Sequence, residues 1–153
     1  MQAERNLMKR ILIAVFVCCV AGTLLASDST WLTSVPEAKT KAEKEKKLVL
    51  LDFTGSDWCG WCKKLDAETF SKPAFAEYAS KNLVLVEVDF PKTKVLSDDQ
   101  KAANKALKEK YEVTGFPTLV VMKPDGTVVW KQVGYMQGGP SAMIAKLDEA
   151  KQK

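Results

Sequence analysis

Two cysteines separated by two residues, Cys59 and Cys62, carry the most distinctive chemistry in this sequence. They follow a continuous apolar run, residues 48–53, which is typical of a buried strand, and the sequence turns helical from Gly60. A cysteine at the start of a helix lies near free backbone N–H groups that stabilise its thiolate. Cys62, one turn further on, could attack the sulfur bonded to Cys59 and release the product. The spacing therefore predicts a thiol–disulfide exchange centre.

Other uses of such a pair fit less well. A structural zinc site normally needs four Cys or His ligands, and this sequence contains no histidine, so zinc would need two chains or carboxylates. Covalent haem attachment needs His directly after the second cysteine, where this chain has Lys63. An inert structural disulfide closing so short a loop would stabilise little, and it remains the main alternative. We expect neither a metal nor an organic cofactor.

The amino-terminal residues differ in kind from the rest. Three basic residues precede an uncharged apolar run over residues 11–26, and a polar stretch follows. A basic start, an apolar run and small residues at its end indicate a secretory signal peptide. The run is shorter than the roughly 20 residues that cross a bilayer as a helix. We predict a signal peptide over residues 1–26, cleaved after Ala26, and one domain over residues 27–153. An uncleaved membrane anchor is the alternative.

Removal of the signal peptide changes the cysteine count. Cys18 and Cys19 lie in the apolar run and would leave with it, so Cys59 and Cys62 would be the remaining thiols. Lipid attachment at Cys18 or Cys19 is less favoured because bulky residues precede them. A domain with one close pair is not a disulfide scaffold, which needs several bridges. The net charge of +4 falls to about +2, and no basic stripe suggests nucleic-acid binding. The predicted location is therefore periplasmic or secreted.

Helices and strands alternate along the predicted domain. Apolar runs predict buried strands over residues 48–53 and 83–88, and a tight turn joins strands 118–122 and 127–133 in a hairpin. This order indicates an α/β fold, a three-layer α/β/α sandwich with a mixed central sheet of about four strands. Helices are predicted at five places: residues 37–47, from Gly60, after Ser71, after Ser97, and along Pro140, Met143, Ile144 and Leu147.

Two of these helices carry specific expectations. Ser71 has the position of a helix cap, with Phe70 and Phe75 at hydrophobic-staple spacing around it. Ser97 has capping-box spacing with Gln100. The inward face of the helix after Ser97 is predicted to be Ala103, Ala106, Leu107 and Tyr111.

Two further residues could complete a site around the cysteines. Asp52 lies in the apolar strand that leads to them. A buried carboxylate has a raised pKa and could take the proton of Cys62 through a water, whereas the alternative is a strand-end carboxylate that reaches solvent. Pro117 immediately precedes a predicted strand, a position where proline costs no ladder hydrogen bond. A cis bond there would be a fixed structural device.

These motifs together resemble the thioredoxin family, in its order and at nearly its spacing, over roughly residues 45–150. Residues 57–73 are most similar to exported thioredoxin-like domains, among them the carboxy-terminal domain of the membrane-embedded thiol–disulfide interchange reductase. The segments that carry the resemblance are Trp58-Cys59-Gly60-Trp61-Cys62-Lys63, Asp52-Phe53, Val113-Thr114-Gly115-Phe116-Pro117-Thr118, Lys123-Pro124-Asp125-Gly126 and Val133-Gly134.

The resemblance implies roles for single residues. Cys59 would be the exposed nucleophile and Cys62 the resolving thiol, and the two would form the redox disulfide. Asp52 would be the buried acid, and Pro117 would be cis and pack beside the cysteines. The candidate substrate contacts are Trp58, Gly60, Trp61, Phe116, Pro117 and Gly134, of which the two tryptophans could instead be aromatic cover for the active helix.

Three departures from the family pattern bear on the direction of reaction. The segment from Asp52 to Cys59 is one residue longer than in ordinary thioredoxin, and Trp61 replaces the usual proline between the cysteines. The lysine that thioredoxins often carry on the next strand is replaced by an apolar residue, Leu85 or Val86.

The resemblance implies an exported, monomeric protein-disulfide reductase that acts on disulfide-containing exported proteins. A membrane-bound electron donor would recharge it. A dithiol oxidase or isomerase is an alternative that uses the same chemistry, because the relative reduction potentials of the protein and its partner set the direction of exchange. A non-catalytic thioredoxin-like module that binds peptides at Phe116–Thr118 is the alternative from another class.

Overall fold

The computed structural model describes residues 30–153. The predicted signal peptide, residues 1–26 with Cys18 and Cys19, lies outside the described residues. Five α-helices and four strands follow one another as α1 Val35–Glu45, β1 Leu48–Thr54, α2 Gly60–Leu65, α3 Pro73–Asn82, β2 Leu83–Asp89, α4 Asp98–Lys110, β3 Thr118–Met122, β4 Val128–Val133 and α5 Gly139–Lys151. Within residues 30–153 no helix is both long enough and apolar enough to cross a membrane.

The four strands form one mixed sheet in the order β2-β1-β3-β4. β1 pairs in parallel with β2, whereas β3 pairs antiparallel with both β1 and β4. β1 is therefore central, and its last residues carry the chain directly to the cysteines. Outside the named strands, Leu32 pairs with Val86 and covers part of the β2 edge.

Alternate residues of the central strands feed two separate cores, one on each face of the sheet. Val49, Leu51 and Phe53 pack in one core with residues of α1 and with Tyr111. Leu50 packs in the other core with residues of α2, α3 and α5. Helices on both faces of a mixed sheet confirm the predicted three-layer α/β/α sandwich.

The first helix begins two residues earlier than predicted. Ser34 is its N-cap, and the Ser34 side chain accepts a hydrogen bond from the backbone N–H of Glu37 at 3.3 Å. Ser-x-x-Glu is a capping-box spacing, so the signal was present in the sequence. The helix ends at Glu45 because Lys46 adopts a left-handed conformation, with φ of 56°.

The predicted cap at Ser71 is wrong. A π-helical turn, Asp66–Phe70, extends α2, and Ser71 ends that turn by donating its N–H to the Asp66 carbonyl at 2.9 Å. α3 begins at Pro73, with Lys72 as its N-cap. The predicted contact between the rings of Phe70 and Phe75 does form, with their centroids 5.0 Å apart.

The predicted inward face of α4 is partly wrong. Ala103 and Ala106 are exposed, and the buried residue of this helix is Asn104. The Asn104 side chain donates to the Asp89 carbonyl at 2.7 Å, so a hydrogen bond to the end of β2 sets the rotation of the helix. Leu107 is partly buried and Tyr111 is buried, as predicted.

Candidate active site

The two cysteines lie where β1 ends and α2 begins. Cys59 is the N-cap of α2, and it forms a disulfide with Cys62, with the two Cα atoms 5.3 Å apart. The backbone N–H of Cys62 donates to the Cys59 sulfur at 3.2 Å. Both cysteines are only 5% exposed. The expectation that Cys59 is exposed is therefore wrong for the disulfide form, because its side chain turns back onto the first turn of the helix.

Gly55 shapes the loop before the disulfide. The Gly55 carbonyl accepts hydrogen bonds from the N–H groups of Trp58, at 3.2 Å, and Cys59, at 2.8 Å. A Cβ atom at Gly55 would lie 2.5 Å from the Trp58 ring, so only glycine permits this close approach. The indole N–H of Trp58 donates to the Phe90 carbonyl at 2.8 Å, which fixes the ring over the end of β2.

The Phe116–Pro117 peptide bond is cis, as the resemblance implies. The Phe116 ring meets the Trp58 ring edge-on, with centroids 5.8 Å apart, and it also contacts Phe90 at 5.3 Å. Gly134, with φ of +84°, donates its N–H to the Pro117 carbonyl at 2.8 Å. The structure thus brings Trp58, Phe116, Pro117 and Gly134 into one chain of contacts.

Trp61, between the cysteines, lies on a different part of the surface. It is 58% exposed, and its ring contacts the Tyr135 ring with centroids 5.4 Å apart. The Lys64 ammonium lies over both rings, and the Tyr135 hydroxyl is hydrogen-bonded to Glu68. Gly60 is exposed, and a Cβ there would meet no atom within 4 Å.

A cavity of about 240 Å³ lies on the inner side of the disulfide. Asp52 and Cys62 both line it, so the structure brings together the predicted acid and the second cysteine. A cavity of this size with polar walls can hold water between the two groups. The other residues that line it are Trp31, Thr54, Ser56, Lys63, Asp66, Phe70 and Glu87.

Asp52 is a buried carboxyl without a compensating partner. It is 9% exposed, and its Oδ1 atom has no hydrogen-bond partner within residues 30–153. Burial is the largest cause that raises the pKa of Asp52, to about 8, and the negative charges of Glu87, Asp66 and Asp89 raise it further. Asp52 is therefore a group that exchanges its proton near neutral pH.

Glu87 is the residue of this site that the sequence did not indicate. It is the register partner of Asp52 in the parallel pair of β1 and β2, so both side chains point to the same face of the sheet. Leu85, one of the two apolar residues predicted to replace the family lysine, is the register partner of Leu50, whereas Glu87 is that of Asp52. Burial and the charge of Asp89 raise the pKa of Glu87, and Lys94 opposes them.

Two aspartates connect the loop before the disulfide to the loop after β2, residues 91–96. The Asp57 carboxylate accepts the Thr93 hydroxyl and the backbone N–H groups of residues 92, 93 and 94, and these bonds lower its pKa. The Asp89 carboxylate accepts the Ser56 N–H at 2.9 Å and the Ser56 hydroxyl at 2.6 Å. Both loops are thereby held in one arrangement.

The arrangement can carry out thiol–disulfide exchange, with an acid–base group behind the second cysteine. Clusters of three or more His, Cys, Asp or Glu side chains able to hold a metal ion are absent from residues 30–153.

Comparisons with known proteins agree on the fold. The Thioredoxin-like domain family matches residues 35–151. The disulfide bond reductase DsbH of Chlamydia pneumoniae is 35% identical over 127 residues, which cover 83% of this chain and 75% of that protein. A solved structure of a DsbH oxidoreductase superposes with a TM-score of 0.75 at 34% identity, covering 80% of this chain and 84% of the other.

The carboxy-terminal domain of DsbD from Neisseria meningitidis, in its oxidised form, shares the fold. It superposes with a TM-score of 0.57 at 20% identity, over 79% of this chain and 99% of that domain. The family match spans most of the chain, and the DsbH relative covers more than two thirds of it at over 30% identity. The chain therefore belongs to the thioredoxin-like domain family.

Proposed function

We propose that this protein is an exported thiol–disulfide oxidoreductase that reduces disulfides in extracytoplasmic proteins. The observation that supports this most directly is the Cys59–Cys62 disulfide at the start of α2 in a thioredoxin-like domain. A dithiol that closes into this disulfide transfers two electrons with no metal or organic cofactor. An inert structural disulfide is disfavoured, because a disulfide between residues only three positions apart removes little conformational entropy from the unfolded chain.

The two cysteines have different roles in the proposed reaction. The Cys59 thiolate attacks one sulfur of the partner's disulfide, forms a mixed disulfide, and expels the other sulfur as a thiolate, which takes up a proton. Cys62 then attacks the Cys59 sulfur, releases the second partner thiolate, and leaves the Cys59–Cys62 disulfide. The Cys62 N–H that donates to the Cys59 sulfur would stabilise the initial thiolate.

Asp52 is the proposed proton acceptor for Cys62. The two groups line one cavity, which leaves room for a water between them. Burial raises the pKa of Asp52 to about 8, so its carboxylate is a stronger base than that of an ordinary aspartate and suits transfer of the Cys62 proton through a water.

The proposed substrate contacts surround the disulfide. An extended strand of the partner would lie along the cis loop at Phe116 and Pro117, with Trp58, Gly60 and Trp61 on the side of α2. Gly60 would permit close approach because nothing occupies the space beside its Cα. The Gly134 N–H already donates to the Pro117 carbonyl, so Gly134 would contribute surface and no hydrogen bond from its N–H.

The direction and the location are inferred from other observations. A relative that is 35% identical bears the name disulfide bond reductase, which favours reduction as the direction. The basic start and apolar run of residues 1–26 favour export, with the mature monomer acting on exported proteins. A membrane-bound dithiol donor would then return the disulfide to the dithiol.

The reaction is tested by reduction of insulin with dithiothreitol as the electron source. We expect wild-type protein to accelerate the reaction and Cys59→Ser to abolish the acceleration. Cys62→Ser should instead accumulate a covalent mixed disulfide with the partner, visible on a non-reducing gel. Activity of Cys59→Ser equal to that of the wild type would reject the enzyme and favour a peptide-binding module.

The direction is tested by equilibration of the Cys59–Cys62 pair in glutathione buffers of known ratio. A reductase should give a potential near that of thioredoxin, about −270 mV. A value near the strongly oxidising end, about −120 mV, would contradict reduction and assign the protein to disulfide formation.

A further inference from the structure

A second concave surface lies next to the disulfide loop. A groove of about 380 Å³ runs between the loop after β2 and the helix α4. Its apolar lining comes from Phe90, Pro91 and Leu96. The groove is separate from the cavity on the inner side of the disulfide that Asp52 and Cys62 line.

Lysines surround this groove. Lys101, Lys105 and Lys108 lie at i, i+4 and i+7 on α4, and therefore on one face of that helix. Lys94 approaches from the opposite wall. The groove thus combines an apolar lining with four cationic side chains, which fits a ligand that carries both apolar groups and negative charge.

The carboxylates near these lysines leave much of the positive charge without a partner. Lys101 pairs with Asp98 at 3.0 Å, and Lys94 lies 3.8 Å from Asp89, which is already hydrogen-bonded to Ser56. For Lys105 and Lys108, no carboxylate within residues 30–153 lies at salt-bridge distance. Two cations on one rim are therefore available to an acidic ligand.

The groove is connected to the substrate side of the disulfide through aromatic contacts. The Lys108 ammonium lies 5.7 Å from the centroid of the Phe90 ring and 5.4 Å from that of the Phe116 ring. Phe116 contacts Trp58 in turn. A chain that crosses the Phe116 loop could continue into the groove without leaving the surface.

The groove also has a fixed floor. The Asn104 side chain donates to the Asp89 carbonyl at 2.7 Å and accepts from the Gln100 side chain at the same distance. The Asp57 bonds to residues 92–94 hold the opposite wall. Binding would therefore need little ordering of the protein, which reduces its entropic cost.

We propose that this groove binds an acidic segment, containing apolar side chains, of the protein whose disulfide is exchanged; this rests on the proposed function. Charge complementarity supports this occupant over two others. Residues 1–29 of the chain contain three basic and two acidic side chains, and a second copy carries a net charge of +4. Neither therefore brings a net negative charge to Lys105 and Lys108.

Docking is tested first without redox chemistry. The oxidised protein is titrated with a short cysteine-free peptide in which pairs of Glu alternate with Leu, and with its counterpart in which Lys replaces Glu. We expect the acidic peptide to bind more tightly, with amide NMR shifts at Phe90 and Leu96. Binding should weaken as ionic strength rises to about 0.5 M, since exposed charges are screened.

The matched variants are Lys105→Gln/Lys108→Gln and Lys41→Gln/Lys44→Gln, which remove the same charge from the groove and from the exposed face of α1. The groove variant should bind the acidic peptide about five-fold more weakly, and Lys105→Arg/Lys108→Arg should restore binding. Equal affinity for both peptides, or equal loss in the two Lys→Gln variants, would overturn the proposal. Tighter binding of single-stranded oligo(dT) than of the acidic peptide would also overturn it.

The second arm links docking to the reaction. Reduced protein acts on two disulfide peptides that carry the acidic or the basic flank, and on hydroxyethyl disulfide, which carries neither. The groove variant should lose about five-fold in kcat/KM on the acidic peptide and remain unchanged on hydroxyethyl disulfide. Failure of the wild type to reduce any of the three would reject the proposed function, while the titration would still report on docking. An unchanged kcat/KM of the groove variant on the acidic peptide would overturn the proposal.

Discussion

The two sides of the Cys59–Cys62 disulfide differ in both exposure and charge. On the outer side, Trp58 and Trp61 are 40% and 58% exposed, and lysine ammonium groups lie over their rings. On the inner side, Asp52 is buried and lies beside Glu87 in a small cavity. One side offers aromatic and cationic contact area, and the other offers carboxyl side chains that line one cavity.

The difference indicates two separable tasks. Exposed aromatic rings supply contact area at small entropic cost, which suits recognition of a partner. Asp52, a buried carboxyl whose pKa is raised to about 8, can hold and release a proton near neutral pH, which suits the resolving step. Substitutions on the outer side should therefore change KM, and those on the inner side should change stability, rate and pH dependence.

The largest expected effect is on stability, from Asp52→Asn. Because the folded state raises the pKa of Asp52, it binds a proton that the unfolded chain has released, so stability falls as pH rises from about 4 to about 8. We expect the free energy of unfolding of Asp52→Asn to show no such fall. At pH 9 it should exceed that of wild type by about 3 kcal/mol, a figure that allows for relaxation around the buried charge.

The measurement is urea unfolding of both oxidised proteins at several pH values. The other titrating groups are common to the two proteins, so the difference between the curves isolates Asp52. At pH 4, below the raised pKa, the two free energies of unfolding should nearly agree. A difference that stays constant from pH 4 to pH 9 would show that the Asp52 carboxyl does not titrate as described.

The next effect is kinetic and concerns the same substitution. Loss of a general base typically costs about 100-fold or more, so Asp52→Asn should slow release of the mixed disulfide by about that factor at pH 7. Attack by Cys59 on the partner should stay within about two-fold, because Asp52 lines the cavity with Cys62. Stopped-flow measurement of the two steps separates them, and unchanged release would reject Asp52 as the proton acceptor.

Local patterns were sufficient to predict most of the fold. The apolar runs at β1 and β2 and the turn before β4 identify strands because buried strands need continuous apolar residues. α4 was misjudged because periodicity favours alanine as the inward residue, whereas the hydrogen bond from Asn104 to the Asp89 carbonyl decided its rotation. A polar contact between distant segments has no local signature.

The candidate site shows the same limit. Asp52 was identifiable as a charged residue in an apolar strand that leads to the cysteines. Glu87 was not, because its position beside Asp52 depends on the register between β1 and β2, which a single sequence does not specify. The clash that excludes a side chain at Gly55 depends likewise on where the Trp58 ring lies.

A smaller effect is expected on the outer side, from Trp61→Ala. The Trp61 ring contacts Tyr135 and Lys64, so its removal should leave the core unchanged. We expect KM for insulin to rise about five-fold, a typical loss for an exposed aromatic contact, with kcat and its pH dependence unchanged. Tyr135→Phe, which keeps the ring, is the matched control. A change in kcat with no change in KM would contradict the assignment of partner recognition to the outer side of the disulfide.

The smallest effect should come from Glu87→Gln. The charge of Glu87 is the largest electrostatic cause that raises the pKa of Asp52, ahead of the charges of Asp66 and Asp89. Removing it leaves Asp52 buried but lowers the cost of its negative charge, so the pKa of Asp52 should fall by about half a pH unit. The pKa of Asp52 is measured in wild type and in Glu87→Gln by following the NMR signal of the Asp52 carboxyl carbon as the pH is changed.

The order of the effects tests whether Glu87 or Asp66 is the closer electrostatic neighbour of Asp52. Asp66→Asn, on the same cavity, should lower the pKa of Asp52 by less than Glu87→Gln does, and Glu149→Gln, on the exposed surface of α5, should leave it unchanged. A larger shift with Asp66→Asn would mean that the helix carrying Cys62 controls the proton on Asp52. The expected order would instead assign that control to the register of β2 on β1, which places Glu87 beside Asp52 independently of the cysteines.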